Sequence, residues 1–464
     1  MTLTVTDLFC GAGGSSLGAE SAGLTLRMAA NHWQTAIDVH QAHFPDAGHD
    51  IADISQADPR RYPRTNILLA SPECTNHSQA RGVSRKKQNP SLWDAPDPAA
   101  ERSRATMWDV PRFAEQMRYD AIVTENVLEA AKWIGWRAWH VMMADLGYEH
   151  RVLSLNAMFH GVPQSRDRLY VVFWRKGMRA PNLDLELTAW CPTCEGWRTA
   201  RQSWKNGRTV GKYRDQWIWA CLTCAKEAHP PVRGAVDILD FDLPCQRIGD
   251  RKRSLAEKTR DRIWAGILRH WPDLFMTAGA GNVYETTPGN RSRPLTDPLP
   301  TQQTTITGAL VDPPAFMLNT AHGGRLHDID RPHPTVCAAD DRHSLVVPLR
   351  NHGHARPASG PVATVTANGN HQPTMTMTTR DRAAIITAAE VLAGMSLAER
   401  DRIIDECGLR MLEPYEVAAA MDFPVGYIPR DLTKKVQVKL AGNGNPPAVE
   451  AWLAGRVVEA LEAA

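Results

Sequence analysis

Several things are missing from this sequence. No eighteen apolar residues run together in its 464 positions, and its start, MTLTVTDLFCGAGG, has no basic segment leading into an apolar stretch. A membrane-crossing helix needs about twenty such residues, and a secretory leader needs that basic-then-apolar order. We therefore expect a soluble, cytoplasmic protein with no membrane attachment. A surplus of charge is also lacking, since 53 Lys and Arg face 51 Asp and Glu, so any surface for nucleic acid must be local. Cysteine is sparse: nine in the chain, two pairs in CxxC spacing and the rest scattered. That pattern argues against a secreted disulfide framework and for free thiols, with a metal, in a reducing compartment. The length allows two or three domains, each burying its own core.

What is present has a clear order. LTVTDLF, residues 3–9, alternates β-branched and apolar residues and breaks into CGAGGSSLG, giving strand, glycine turn and helix. LTLRMAA, TNILLAS, YDAIVTENV and RLYVVFW are further short β-rich runs, with helical stretches between several of them. Residues 1–177 are expected to form an α/β domain of Rossmann-like type with a mixed, mostly parallel sheet. Residues 178–235 hold the two CxxC pairs in a tract rich in Trp, Arg and Lys. In residues 236–404 the phrases DPLPT, DRPHPT and GPVAT recur roughly 30 to 35 residues apart, as three degenerate β-hairpin units or as irregular Pro/Thr-rich loop. Helical patterns return from Asp381 to the end, and residues 405–464 form a C-terminal segment.

The glycine turn leaves backbone N–H groups free at a helix N-terminus, where a ligand can approach closely. It lacks the full GxGxxG order, so by itself it names no cofactor, and a purely structural turn reads the same way. Asp53 and Ile54 follow the second apolar run and its helix, near the edge where open α/β sheets bind ligands. A carboxylate there can accept a hydrogen bond from an exocyclic amine such as that of adenine.

Taken in order, DLFCGAGGSSLG, SPEC, ENV, GVPQSRDRLYVV and GNGNPP resemble the motifs of DNA (cytosine-5) methyltransferases, over roughly residues 3–177 and 405–460. The resemblance implies a class I methyltransferase domain completed by the C-terminal segment, and a smaller β-rich target-recognition domain between them. It implies S-adenosylmethionine as cofactor, double-stranded DNA as partner, monomeric action, and a cognate restriction endonuclease as a further partner. Phe9, Gly11, Gly13 and Gly14 would wrap the methionine part of the cofactor, Asp53 and Ile54 would sit at its adenine, and Asn443 near its methionine end. His32 stands where the family usually has an acid for the ribose hydroxyls; it either bonds a hydroxyl or is a surface histidine.

Carbon 5 of cytosine is a poor nucleophile, and addition of a thiolate at carbon 6 turns one hard displacement into two easier steps. Cys74, just past the strand NILLA, has the placement for that thiolate, although Glu73 beside it would raise a thiol's pKa unless it points away. Cys245, in LPCQ, imitates the usual Pro-Cys-Gln better but comes in the wrong order, and Cys10 lies inside the glycine turn. Glu125 ends the next strand and can hydrogen-bond ring N3 or the exocyclic amine. Arg166 and Arg168, one residue apart in an extended chain, point to one face. By resemblance Arg168 would contact cytosine O2 and Arg166 would help position Cys74 or Glu125; the alternative is a structural ion pair with Asp167 or Asp53. Residues 75–105, with Arg81, Arg85, Lys86 and Lys87, fall where the family has a loop that closes on DNA around a flipped base.

Cys191, Cys194, Cys221 and Cys224 form two knuckles that can present four thiolates to a structural zinc, as a zinc-ribbon-like insert outside the family's common core. Its Trp197, Arg198, Trp204, Lys205, Arg208, Lys212, Arg214 and Trp217 suggest nucleic-acid contact, or tryptophans that cover the ribbon. Gln302, Gln303, Asn319, His322, Arg342, Arg350, Asn351, His352, Asn368 and Asn370 offer amides and guanidinium groups for base edges. Two other functions fit the same residues: a catalytically silent DNA-binding protein of this fold, and an enzyme that modifies RNA cytosine or transfers a group other than methyl.

Overall fold

The structure is a computed structural model that describes residues 2–72, 106–271, 273–278, 291–314 and 392–463, with backbone strands at 316–319, 325–328 and 343–346. The chain forms two compact units: Met1–Ile238 with Pro298–Thr305 and Glu413–Ala464, and Leu239–Asp297 with Ile306–Leu412.

The first unit is built on seven strands: β1 (Thr4–Leu8), β2 (Thr25–Asn31), β3 (Gly48–Ile51), β4 (Ile67–Ala70), β5 (Ala121–Asn126), β6 (Tyr148–Asn156) and β7 (Asp167–Arg175). Their order is β3-β2-β1-β4-β5-β7-β6. β7 runs antiparallel to both β5 and β6, and the other pairings are parallel. This is the Rossmann-like, mostly parallel sheet expected from the apolar runs. Its strands are apolar nearly throughout because both faces are covered. Ile67, Leu69 and Val123 point to a core shared with α9 (Pro447–Glu462) through Val449, Leu453 and Val457. Leu68, Ile122 and Phe173 point the other way, against Val110 and Phe113 of α3 (Asp109–Met117) and Trp139 and Met143 of α4 (Trp136–Asp145). The period of two along each strand sorts residues between these cores. Each fully buried Leu, Phe or Val contributes about 1.5–3 kcal/mol, so the last helix of the chain is part of the first unit's core. Among the described residues no helix is long and apolar enough to cross a membrane.

Two helices follow the first strands: α1 (Gly14–Ser21) after β1 and α2 (Gln34–His43) after β2. The insert forms a separate antiparallel sheet of β8 (Glu186–Cys191), β9 (Gly196–Trp204) and β10 (Trp217–Cys221), with β9 in the centre. The phrase DPLPT is not a hairpin. Leu299–Pro300 pairs in parallel with Gln164–Ser165, in the first unit. DRPHPT and GPVAT lie outside the described residues.

In the second unit an antiparallel sheet is made by β11 (Gln246–Arg247), β12 (Phe275–Ala278), β13 (Ser292–Pro294), β14 (Gly308–Asp312) and β15 (Gly408–Met411), in the order β11-β15-β14-β12-β13. It packs on α5 (Glu257–His270) and α6 (Leu397–Glu406) through Ile263, Ile267, Phe275, Val311 and Ile404. Arg260 bridges to Asp401 and Asp405, and Arg400 to Asp261. The expected β-rich second domain is therefore present. A further small sheet has the strand order 325–328, 316–319, 343–346.

Candidate functional site

In an open α/β sheet ligands bind beyond the carboxyl ends of the strands, where the strand order reverses. Here that point lies between β1 and β4. After Leu8 the chain turns through Phe9, Gly11 and Gly13 with φ of 62°, 55° and 101°, values that favour glycine at the last two. A Cβ on Gly14 would overlap the carbonyl of Asn445, and one on Gly13 would meet Tyr427 and Phe44. Among the described residues a Cβ on Gly11 would meet nothing within 4 Å. The turn is thus packed on one side and open on the other, which suits the close approach of a ligand's backbone-binding part.

Beneath the turn sits a buried polar chain. Asp7 accepts from Ser15 Oγ at 2.5 Å and from Ser16 Oγ at 2.7 Å. Ser16 Oγ lies 3.0 Å from His40 Nε2, and His40 Nδ1 lies 2.9 Å from His49 Nε2. With the Ser16 proton engaged by Asp7, His40 donates through Nε2, which leaves Nδ1 as the acceptor when the ring is neutral. Burial agrees with this, holding His40 down at about 3 and pushing Asp7 up to about 6.

The next two strands end beside this turn. Ser71 N–H donates to the Leu8 carbonyl at 3.2 Å, and Asn445 Nδ2 reaches both Ser71 Oγ at 2.8 Å and Glu450 Oε1 at 3.0 Å. Asn126 Nδ2 donates to the Pro72 carbonyl at 3.2 Å. Because β7 is antiparallel, its beginning falls at the edge where β5 ends, with Tyr170 opposite Glu125 and Leu169 opposite Asn126. That register sets Arg168 Nε 3.0 Å from Glu125 Oε1. Arg166, 4% exposed, donates to the carbonyls of Gln302, Gly442 and Gly444 at 3.2–3.3 Å. Burial raises the Glu125 carboxyl, with Arg168 and then Arg166 opposing. A carboxyl so placed can hold or share a proton.

The structure therefore brings together Phe9, Gly11, Gly13, Gly14, Glu125, Arg166 and Arg168 at one edge. Arg168 pairs with Glu125 rather than with Asp167 or Asp53; Asp53 is exposed and accepts from Ser55 N–H at 3.1 Å, while Ile54 is buried. His32 is exposed just past β2. Asn443 is exposed at the end of α8 (Lys434–Asn443), and Asn445, two residues on, sets its backbone carbonyl against Gly14 and donates from its side-chain amide to Ser71. Cys74, Glu73 and residues 75–105 lie outside the described residues, as do His322, Arg342, Arg350, Asn351, His352, Asn368, Asn370 and the side chain of Asn319. Cys10 is buried, and burial and then Asp7 push its thiol far up; Cys245 belongs to the second unit. Asn126, Asn445 and Asp7 escaped the sequence reading although they stand inside ENV, GNGNPP and DLF. A short amide next to a motif residue is a signal that could have found the first two.

In the insert, the sulfurs of Cys191, Cys194, Cys221 and Cys224 all lie within 4.8 Å of one another. Cys191 and Cys224 are 3.5 Å apart, Cys194 and Cys221 4.0 Å, and no disulfide joins them. Trp217 and Trp219 are buried with Phe159, whereas Trp190 and Trp197 are 41% and 54% exposed.

The strand order with one antiparallel member defines a Rossmann-like unit, and the glycine turn and the carboxyl–arginine pair both stand at the carboxyl edge of its parallel strands. A family described as C-5 cytosine-specific DNA methylase matches residues 3–200 of this chain. Type II methyltransferase M.HhaI of Haemophilus parahaemolyticus is 29% identical over 185 residues, 39% of this chain and 51% of that protein. Type II methyltransferase M.HgiDI of Herpetosiphon aurantiacus is 27% identical over 175 residues, 37% and 52% of the two chains. The chain thus spans about half the length of the curated relatives it matches. A DNMT2 variant of Spodoptera frugiperda superposes with a TM-score of 0.51 at 17% identity, covering 98% of this chain and 100% of that one, a likeness of fold.

Proposed function

We propose that this protein transfers a methyl group from S-adenosylmethionine to carbon 5 of a cytosine flipped out of duplex DNA. The reading is carried by the Glu125–Arg168 pair, at 3.0 Å, on the same strand end as Asn126, which holds Pro72 two residues before Cys74. The cradle at Gly11, Gly13 and Gly14 would hold the cofactor, with Asp53, Ile54 and His32 toward its adenosine. S-adenosylmethionine supplies an electrophilic methyl there.

The Cys74 thiolate adds to ring carbon 6 as a proton held by Glu125 steadies N3, and carbon 5 gains the electron pair it needs. Arg168 keeps the Glu125 carboxyl oriented and faces the base at O2. Arg166, through the carbonyls of Gln302, Gly442 and Gly444, ties the C-terminal motif to the strand that carries Arg168. After methylation a base removes the proton from carbon 5 and the thiolate leaves.

In the insert, four thiolates bound to zinc at about 2.3 Å stand about 3.8 Å apart in a tetrahedron. The observed sulfur separations of 3.5 and 4.0 Å support a structural zinc at Cys191, Cys194, Cys221 and Cys224. The Type II relatives support a cognate restriction endonuclease as partner. The protein acts, in this proposal, as a cytoplasmic monomer.

The test is methyl incorporation into duplex DNA by the wild type and by Cys74→Ser. Incorporation by the wild type alone, with covalent trapping on a 5-fluorocytosine duplex, is expected. Equal incorporation by both proteins, or none by the wild type, overturns the assignment.

A further inference from the structure

The insert meets the seven-stranded sheet through the end opposite its sulfurs. β9 runs nine residues from Gly196 beside the cysteines to Trp204, roughly 27 Å at strand rise, and the loop 205–216 follows. Gly211 N–H donates to Ser154 Oγ at 3.2 Å, Gln202 Nε2 to the Ser154 carbonyl at 2.8 Å, and Tyr213 N–H to Asp167 Oδ1 at 3.0 Å. Val210 packs on Leu128 and Leu169, and the Tyr213 ring meets Phe159 edge-on at 4.8 Å. Asp167 and Leu169 flank Arg168. The loop is therefore fastened to the strand that carries the Glu125 pair.

The loop is also fastened to itself. Lys212 N–H donates to Gln216 Oε1 at 2.7 Å, Lys205 N–H to the Gln216 carbonyl at 2.8 Å, and Lys205 Nζ to the Arg214 carbonyl at 2.6 Å. Its outward side is cationic: Lys205, Arg208, Lys212 and Arg214 are exposed, against the single acid Asp215. Arg214 lies over the Tyr213 ring at 5.5 Å. Among the described residues Arg208 and Lys212 have no carboxylate within 4.0 Å. Like charges on a fixed loop repel one another, Lys212 being offset in part by Asp167, and a polyanion lying across the loop relieves that repulsion.

We propose that this loop is a phosphate-contact surface for the DNA strand beside the base that enters the Glu125 site, with Arg208 and Lys212 meeting backbone phosphates. The loop lies beyond residues 3–200, where the family match ends. The inference rests on the reading of the protein as a DNA methyltransferase and adds to it where the duplex passes. Contacts of this kind position a duplex without reading its sequence.

The experiment measures binding of mixed-sequence duplex DNA across a KCl series for the full-length wild type, the Arg208→Gln/Lys212→Gln variant, and the charge-retaining Arg208→Lys/Lys212→Arg variant. Each phosphate contact adds about 0.9 to the slope of log K against log salt. The Gln variant is expected to lose about 2 from that slope, with equal weakening on unrelated duplexes, while the charge-retaining variant keeps the wild-type slope. Circular dichroism and bound-metal content check the fold; if the double variant fails there, Lys212→Gln alone is read, with a loss of about 1. A wild type that binds and methylates DNA, with an unchanged slope in the Gln variant, overturns this inference alone. A wild type that neither binds nor methylates overturns it together with the proposed function. A slope change on hairpin RNA but not on duplex DNA overturns the DNA assignment in favour of RNA.

Discussion

Asn126 Nδ2 donates to the carbonyl of Pro72 at 3.2 Å, so the strand that presents Glu125 also holds the chain that leads to Cys74. Asn126 Oδ1 meanwhile accepts from Val127 N–H at 2.8 Å. Asn126→Ala leaves both backbone groups without this partner, at about 1–3 kcal/mol of stability. We expect methyl transfer to fall at least tenfold while cofactor affinity by calorimetry stays within about twofold, because misplacement near a reacting group costs rate before it costs binding. Equal losses in both would contradict a positioning role.

Glu125→Gln keeps a hydrogen bond to the base but removes the proton that a raised carboxyl can share. General acid catalysis contributes about 10²–10⁴ in rate, and a loss in that range is expected for kcat, with cofactor affinity kept. Arg168→Ala strips the 3.0 Å partner from a buried carboxyl and should raise the pH at which activity changes; a pH–rate profile unmoved by this variant counts against the pairing.

Gly14→Ala drives a methyl group into the Asn445 carbonyl. Since Asn445 also links Ser71 and Glu450, the clash spreads to three elements. Overpacking of this kind costs about 1–3 kcal/mol, and thermal denaturation should show it together with weakened S-adenosylmethionine binding. Gly11→Ala, with open space above it but a φ of 55°, is expected to cost about 1 kcal/mol and to act mainly on the cofactor.

Metal analysis of the purified protein should give one zinc per chain, and Cys191→Ser or Cys221→Ser should lose it. Chelation is expected to lower the unfolding temperature and to release the insert's amides to hydrogen exchange before those of β1 or β5. A protein without zinc that is equally stable would rule out the structural metal.

Asp7 has its folded pKa raised from 3.8 to about 6. Its contribution to stability is therefore fully present below about pH 3.8 and is lost as pH rises through about 6. The difference in unfolding free energy between wild type and Asp7→Asn should accordingly shift against the wild type by up to about 3 kcal/mol between pH 4 and pH 7. Denaturant titrations across that range measure it; a constant difference would mean that Asp7 titrates normally.

Much of this was legible in the chain. The apolar runs of β1, β4, β5 and β7 and the turn at Gly11–Gly14 follow from local pattern, because strand alternation and left-handed φ are properties of a few neighbouring residues. DPLPT misled for the same reason: two prolines and a threonine suggest a turn, yet Leu299–Pro300 finds its partner at Gln164–Ser165, over a hundred residues away. Which asparagine of GNGN lies against Gly14 is likewise hidden from the local sequence, since it depends on where α8 stops and α9 begins.

By itself the sequence determined the order of the motifs, the chemical types at Glu125, Arg166 and Arg168, and the four thiols of the insert. Only the tertiary structure decided that β7 enters antiparallel and sets Arg168 against Glu125, and that the loop 205–216 lies on Asp167. Those outcomes depend on register and on contacts between distant segments, whose free energy comes from surfaces buried together and not from any one stretch of chain.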